Sequence, residues 1–223
     1  MTSVARARHS EDVVVRDEIV RHRLASRAIH WTVALFFFIA LFSGLPIWTP
    51  VFGWMAHFFG GLTVCRWLHP WAGLIFFASM AVMFVHWLDD MRLKPSDREW
   101  LRPRKIAAYM RHEDVLAEEG KYNGGQKLFF FATALGAIGL LLSGVVLWFP
   151  LTFPQLVREL ATLLHDVTFI LFVVAIVFHI YLGTAAEPGT FDSMVRGTVS
   201  KRWARFHHSR WYREVMGEEP RRP

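Results

Sequence analysis

The chain has 223 residues, enough for one or two domains, and 53% of them are hydrophobic, with 20 Phe and 10 Trp. Charged residues make up only 20%, a balance that excludes a disordered chain and an ordinary water-soluble globular domain. A single cysteine, Cys65, rules out a disulfide framework, a cysteine-held metal cluster and covalent attachment through a Cys-x-x-Cys-His motif. The net charge of +6 would favour nucleic acid only if it lay on one soluble face, and its distribution along the chain says otherwise.

Residues 1–28 mix six arginines with acids and show no small-residue cleavage site, so a cleavable signal peptide is not expected. The first apolar run covers 29–48 and ends at Trp48 and Pro50. A Gly-rich, aromatic and nearly uncharged stretch, 49–65, reads as lying in the membrane interface. The second run covers 67–88. A polar connection, 89–127, follows, and its middle (100–117) has the composition of a short interfacial helix. The third run covers 128–149, the fourth covers 156–184, and residues 185–223 form a basic tail. Each run is long enough to cross about 30 Å of hydrocarbon at about 1.5 Å per residue. None shows the period-2 alternation of a membrane strand. Trp31, Trp48, Trp67, Trp87 and Trp148 sit near run ends, as an aromatic belt requires. The expected fold is an all-α integral membrane protein: one four-transmembrane-helix bundle over 1–223.

The basic residues orient it. Six precede the first run, nine lie between the second and third, and eight follow the fourth, leaving only Arg66 and Arg158 on the other side. The positive-inside rule therefore predicts cytoplasmic tails at both termini. In that setting the tail's Lys201, Arg202, Arg205, Arg210 and Arg213, interleaved with Trp203, Phe206, Trp211 and Tyr212, are read as anchors to anionic lipid. RNA binding, which the same mixture permits, is not expected.

Ionisable groups inside spans are expensive and usually functional. On the fourth run, His165 and His179 are 14 residues apart, a rotation of about 1400° and a rise of about 21 Å, so they share a face at opposite depths. His69, at the outer start of the second run, shares a level with His165. His30, at the inner start of the first run, shares a level with His179. Two imidazoles at each depth suit the axial positions of a haem iron, and six-coordination leaves an electron carrier without an open site. Gly44, Gly73, Gly136, Gly139 and Gly144 would admit a flat macrocycle, although small residues also promote plain helix packing. A single tetrahedral zinc centre fits less well, because the pairs are too far apart. His86 competes with His30 for the inner position, while His9, His22, His57, His112, His207 and His208 are expected at the surface.

Several motifs follow in order: His30-Trp31-Thr32, Leu68-His69-Pro70, Lys121-Tyr-Asn-Gly-Gly-Gln-Lys127, His179-Ile180-Tyr181, and a C-terminal run over 199–214. With them the chain resembles the gamma subunits of respiratory formate dehydrogenase, which are dihaem cytochromes b, from about Arg23 to Glu214. The resemblance implies two b haems held by His30, His69, His165 and His179. It implies a place in the bacterial inner membrane within a formate:quinone oxidoreductase. There an iron–sulfur beta subunit delivers electrons from a molybdenum- or tungsten-containing alpha subunit. It also implies reduction of menaquinone or ubiquinone at the inner side, near His179. Asp166 and His86 depart from the family pattern.

Asn123, Gly124, Gly125 and Gln126, at the start of the third run, could hold a quinone carbonyl through an amide and free backbone N–H groups. An ordinary helix N-cap would use the same residue types. Two other readings of the whole chain stand beside the first. One is the cytochrome b subunit of a membrane-bound nickel–iron hydrogenase, and the other is a structural anchor with core histidines.

Overall fold

The computed structural model describes residues 14–100, 102–111 and 119–217. Arg6, Arg8, His9, His112, Arg221, Arg222 and the end of the expected 100–117 helix lie outside them. The helices are α1 (Leu24–Trp48), α2 (Leu62–Trp87), α3 (Pro95–Trp100), α4 (Pro103–Met110), α5 (Gly124–Trp148), α6 (Gln155–Tyr181), α7 (Asp192–Val195), α8 (Lys201–His207) and α9 (Ser209–Met216). Strands β1 (Val14–Val15), β2 (Glu18–Val20) and β3 (Thr198–Ser200) complete the elements.

α1, α2, α5 and α6 are long and apolar enough to cross a membrane. All but α6 begin four or five residues before the apolar run that announced them, because a helix continues into the interface wherever its polar residues can reach water. Between α1 and α2, Pro50–Phe59 forms a 3₁₀ segment with Thr49 accepting from the Val51 amide. Within the expected helix over 100–117, α4 covers Pro103–Met110, and the separate short helix α3 precedes it, since Pro103 supplies a ready first-turn residue but cannot continue a helix from α3.

The chain separates into two compact units. One comprises residues 28–86 and 132–176. Its core joins all four long helices: Val33 and Phe37 from α1, Phe76 and Met80 from α2, Ala137 from α5 and Phe172 from α6. Phe37 stacks on Phe172 at 5.4 Å, and Phe76 meets both rings within 5.8 Å. Aromatic pairs of this kind add about 0.5–1.5 kcal/mol beyond area burial.

The other unit comprises residues up to 27, 87–131 and those from 177 onward. It holds a feature the apolar pattern did not announce, an antiparallel sheet in the order β1-β2-β3 with Ile19 opposite Val199. The sheet closes because Gly197, at φ +89°, turns the chain so that its carbonyl accepts from the Arg21 and His22 amides. A Cβ there would lie 2.5 Å from the His22 carbonyl. Ile19, Val199, Trp203, Ala204, Trp211 and Val215 form the core. Trp203 and Trp211 are therefore buried and not membrane anchors, while Phe206 remains exposed.

Two of the histidines expected at the surface are buried here. His22 is buried beside Trp87 and Tyr122, and His208 is 2% exposed and donates from Nδ1 to the Gly120 carbonyl at 2.6 Å. The tertiary contacts of Gly120 and Trp87 cover them. His207, half-buried, reaches Glu187 at 3.1 Å, and His57 is exposed as expected. Burial first, and then Arg21, pushes His207 down to about 4 and holds His208 well below the ordinary imidazole value. Both are thus neutral in the folded chain, so their contribution to stability is complete above about pH 6.5 and is lost as pH falls toward 4. Amide protection over 198–216, corrected for intrinsic exchange, should drop across that window, with a slope of at most about 1.4 kcal/mol per pH unit per histidine. His207→Gln should make the slope shallower.

Candidate functional site

His69 lies in the N-terminal half of α2, where Pro70 withholds the N–H that would bond the Arg66 carbonyl and loosens the turn beside the ring. His165 lies on α6. Tertiary packing brings the two together, with ring centroids 6.2 Å apart and planes at 71°. Each ring is held by its Nδ1. His69 Nδ1–H donates to the Ala40 carbonyl on α1 at 2.9 Å. His165 Nδ1 lies 2.9 Å from Ser143 Oγ on α5. The Ser143 hydroxyl already donates to the Gly139 carbonyl at 2.7 Å, so the serine oxygen accepts from the ring. Both imidazoles therefore carry their proton on Nδ1, which leaves the Nε2 lone pair available to a metal.

The spacing tests what this pair can hold. Two imidazoles that ligate one metal ion from opposite sides, with bonds of about 2 Å, have ring centres about 6 Å apart. Space for a flat group comes from Gly44, where a Cβ would stand 2.8 Å from His69 Cε1, and from Gly144, where one would stand 3.6 Å from His165 Cε1. Of the other glycines expected here, Gly136 and Gly139 pack against Phe172 and Thr168, and Gly73 meets nothing. Ala40 and Ser143 escaped sequence reasoning. The signal that could have found Ser143 is its position one residue before a glycine on an apolar helix.

His30 and His179 belong to different units. His30, half-buried, meets Trp31 edge-on at 5.3 Å. His179 is stacked face to face on Phe129, with centroids 4.7 Å apart and planes 6° off parallel. His86, the competitor, is exposed at the end of α2.

At the start of α5, Asn123 and Gln126 form a reciprocal capping box. The Asn123 amide donates to Gln126 Oε1 at 3.0 Å, and the Gln126 amide donates to Asn123 Oδ1 at 2.9 Å. Gly124 and Gly125 lie under Trp100 of α3: a Cβ on Gly125 would fall 2.5 Å from that ring, and one on Gly124 2.9 Å from the Asp97 carbonyl. Lys127 is buried and bonds Asp97 Oδ2 and the Arg92 carbonyl at 2.8 and 2.9 Å. The capping role is thus realised in full. Only oxygens are used in it, so each side chain keeps an amide NH₂ that can donate to a ligand.

A family model described as prokaryotic cytochrome b561 matches residues 21–197. The chain is 34% identical, over 92% of its length and 94% of the relative's, to the cytochrome b556(Fdn) subunit of the nitrate-inducible formate dehydrogenase of Escherichia coli K12. It is 37% identical to the cytochrome b556(fdo) subunit of a formate dehydrogenase from the same strain, over 90% and 94% of the two chains. Identity is 34% with the formate dehydrogenase cytochrome b556 subunit of Haemophilus influenzae, over 89% and 84%.

Replacing Asn123 or Gln126 by Ala should cost about 1 kcal/mol of stability at the start of α5, as loss of a cap generally does. Thermal unfolding in detergent reads this out. Asn123→Asp, which keeps the accepting oxygen, should unfold like the wild type.

Proposed function

The chain belongs to the prokaryotic cytochrome b561 family, and we propose that it is the membrane cytochrome b subunit of a respiratory formate dehydrogenase in the bacterial inner membrane. In this reading an iron–sulfur beta subunit docks at the outer face. It passes on electrons that a molybdenum- or tungsten-containing alpha subunit takes from formate. The chain carries them through two b haems to menaquinone or ubiquinone, which is reduced on the cytoplasmic side. The His69–His165 pair supports it most directly: a 6.2 Å spacing with both Nδ1 protons engaged and glycines beside the rings. The names of the relatives supply the choice of formate dehydrogenase over hydrogenase. The proposed ligand pairs are His69 with His165 on the outer side and His30 with His179 on the inner side.

A bis-imidazole haem supplies one-electron iron redox chemistry and offers oxygen no binding position. The chain's part is to hold and insulate. The Ala40 carbonyl and the Ser143 hydroxyl stop the two rings from rotating and raise their basicity as ligands. The Phe37, Phe76 and Phe172 cluster keeps water out of the unit that carries them. Near the cytoplasmic end, Asn123 and Gln126 would donate from their NH₂ groups to a quinone carbonyl, over the backbone of Gly124 and Gly125. His179 would border the same site.

Dithionite-minus-oxidised spectra with haem quantification test the reading. The wild type should hold two haems per chain with a b-type alpha band. Replacing His69 or His165 by Ala should remove one haem, and replacing His30 or His179 the other. An inner haem lost in His86→Ala but kept in His30→Ala would overturn the inner assignment. Ser143→Ala should retain both haems but weaken the outer one by about 10–100-fold, the usual effect of losing a ligand's hydrogen-bond partner.

The quinone assignment has its own test. Asn123→Asp preserves the cap and removes the donor, so quinol formation should slow by about tenfold, on the scale of one lost hydrogen bond, while formate still reduces both haems. Unchanged quinol formation would remove Asn123 from the site.

A further inference from the structure

His179 stands two residues before the end of α6, and a π-helical segment, Leu182–Ala186, follows directly. On its own helix, Ala175 four residues back and Gly183 four residues on are small and offer little to hold a ring. The hold comes from another helix. Phe129 of α5 lies against the imidazole, with centroids 4.7 Å apart and planes 6° off parallel. Other histidines meet aromatic rings at an angle: His22 meets Trp87 at 81°, His30 meets Trp31 at 87°, and His208 meets Trp203 at 42°. A parallel stack covers the face of an imidazole and leaves its edge clear. The lone pair of a neutral imidazole lies in the ring plane, so this contact does not compete with a metal for the nitrogen.

Phe129 is itself firmly placed. The Asn123–Gln126 capping box and the buried Lys127–Asp97 pair fix the first turn of α5. Phe129 follows Lys127 by two residues, is half-buried, and is succeeded by the buried Phe130. It also lies three residues beyond Gln126, close enough on a helix surface for the two side chains to be neighbours.

We propose that Phe129 is the positioning residue for His179: its stacked ring sets the plane in which His179 presents a nitrogen to haem iron. The inference rests on the proposed function, because it needs His179 as a ligand. His69 and His165 are oriented through hydrogen bonds at Nδ1, whereas His179 is oriented through its face. Rotation of His179 about its Cβ–Cγ bond would drive a ring edge into Phe129, which already stands at stacking distance. The stack also acts on the electron. An imidazole bound to ferric iron is poorer in electrons than one bound to ferrous iron, so the negative face of Phe129 favours the oxidised haem. Phe129 therefore lowers the potential of the inner haem, which favours onward transfer to a quinone held beside Gln126.

The test uses the whole complex in its native membrane, with Phe129→Leu, Phe129→Met and Phe129→Tyr compared with the wild type. Leu and Met keep an apolar side chain but no flat face, and Tyr keeps the face. Two properties are followed for each haem: its low-spin ferric electron paramagnetic resonance signal, whose low-field position depends on the angle between the two axial imidazole planes, and its midpoint potential. The inner-haem signal is the one missing from His179→Ala. In F129L and F129M that signal should move or broaden and the inner potential should rise, while the outer haem keeps its wild-type signal and potential. F129Y should restore both inner-haem values. Loss of the inner haem in F129L and F129M with retention in F129Y supports the proposal equally. An inner haem unchanged in F129L and F129M overturns it. So does an equal change at both haems, or loss of the inner haem in all three variants, which marks packing alone. His179→Ala is measured first: two haems retained there overturn the ligand assignment of the proposed function, before any Phe129 variant is made.

Discussion

Hydrocarbon offers no water to a peptide group, and every other feature of this chain follows from that deficit. Backbone donors and acceptors inside the slab must satisfy one another within a segment, which leaves the helix as the solution for runs of this length and composition. The same deficit acts on side chains. Ser43 and Ser143 both return their hydroxyls to carbonyls one turn back on their own helices. The Nδ1–H groups of His69 and His165 are directed to a carbonyl and to a hydroxyl oxygen. Satisfying those two protons selects one tautomer for each ring, and that tautomer presents Nε2 as a ligand. The rule that makes the helices thus also makes the candidate site.

The two units meet this demand with different materials. One fills its interior with phenylalanine from three helices and smaller apolar side chains from the fourth, so shape and area do the work and polar groups are few. The other builds on a short sheet, two buried tryptophans and the buried Arg21, whose guanidinium lies 4.6 Å from the centre of the Trp203 ring. Arginine suits this place because its flat, weakly hydrated head stacks on aromatic faces. In the same unit Lys127 and Asp97 are both nearly fully buried and share a 2.8 Å bond. Such a pair gives little net stability, but breaking it leaves a buried charge. It ties α3 to α5 and brings Trp100 down onto Gly124 and Gly125.

Asn123 and Gln126 show how one set of atoms can serve two ends. An amide side chain has an accepting oxygen and a donating nitrogen. The capping box engages both oxygens and both backbone donors. The nitrogens stay out of it, so a structural cap and the proposed contact with a quinone carbonyl do not compete. The close packing of Trp100 accounts for the two glycines without any ligand, which leaves the burden of the quinone proposal on the amides.

Much was legible from the order of residues alone. Four apolar runs identified the long helices, because the need for about 20 apolar residues per crossing is local and additive along the chain. Rise per residue predicted that His69 and His165 share a level, and the two rings do meet in the fold. Other properties depend on contacts between residues far apart in sequence, and no local pattern encodes those. Val14–Val15 and Glu18–Val20 pair locally as a hairpin, but the partner that extends the sheet, Thr198–Ser200, lies far along the chain and meets β2 only in the fold. His22 and His208 looked like surface residues until Trp87, Tyr122 and Gly120 covered them. Ala40 and Ser143, unremarkable in an apolar helix, acquire their role only when α1 and α5 present them to rings on α2 and α6. Periodicity and hydropathy report a residue's affinity for oil or water, whereas the partner that fixes a proton is chosen by packing in three dimensions.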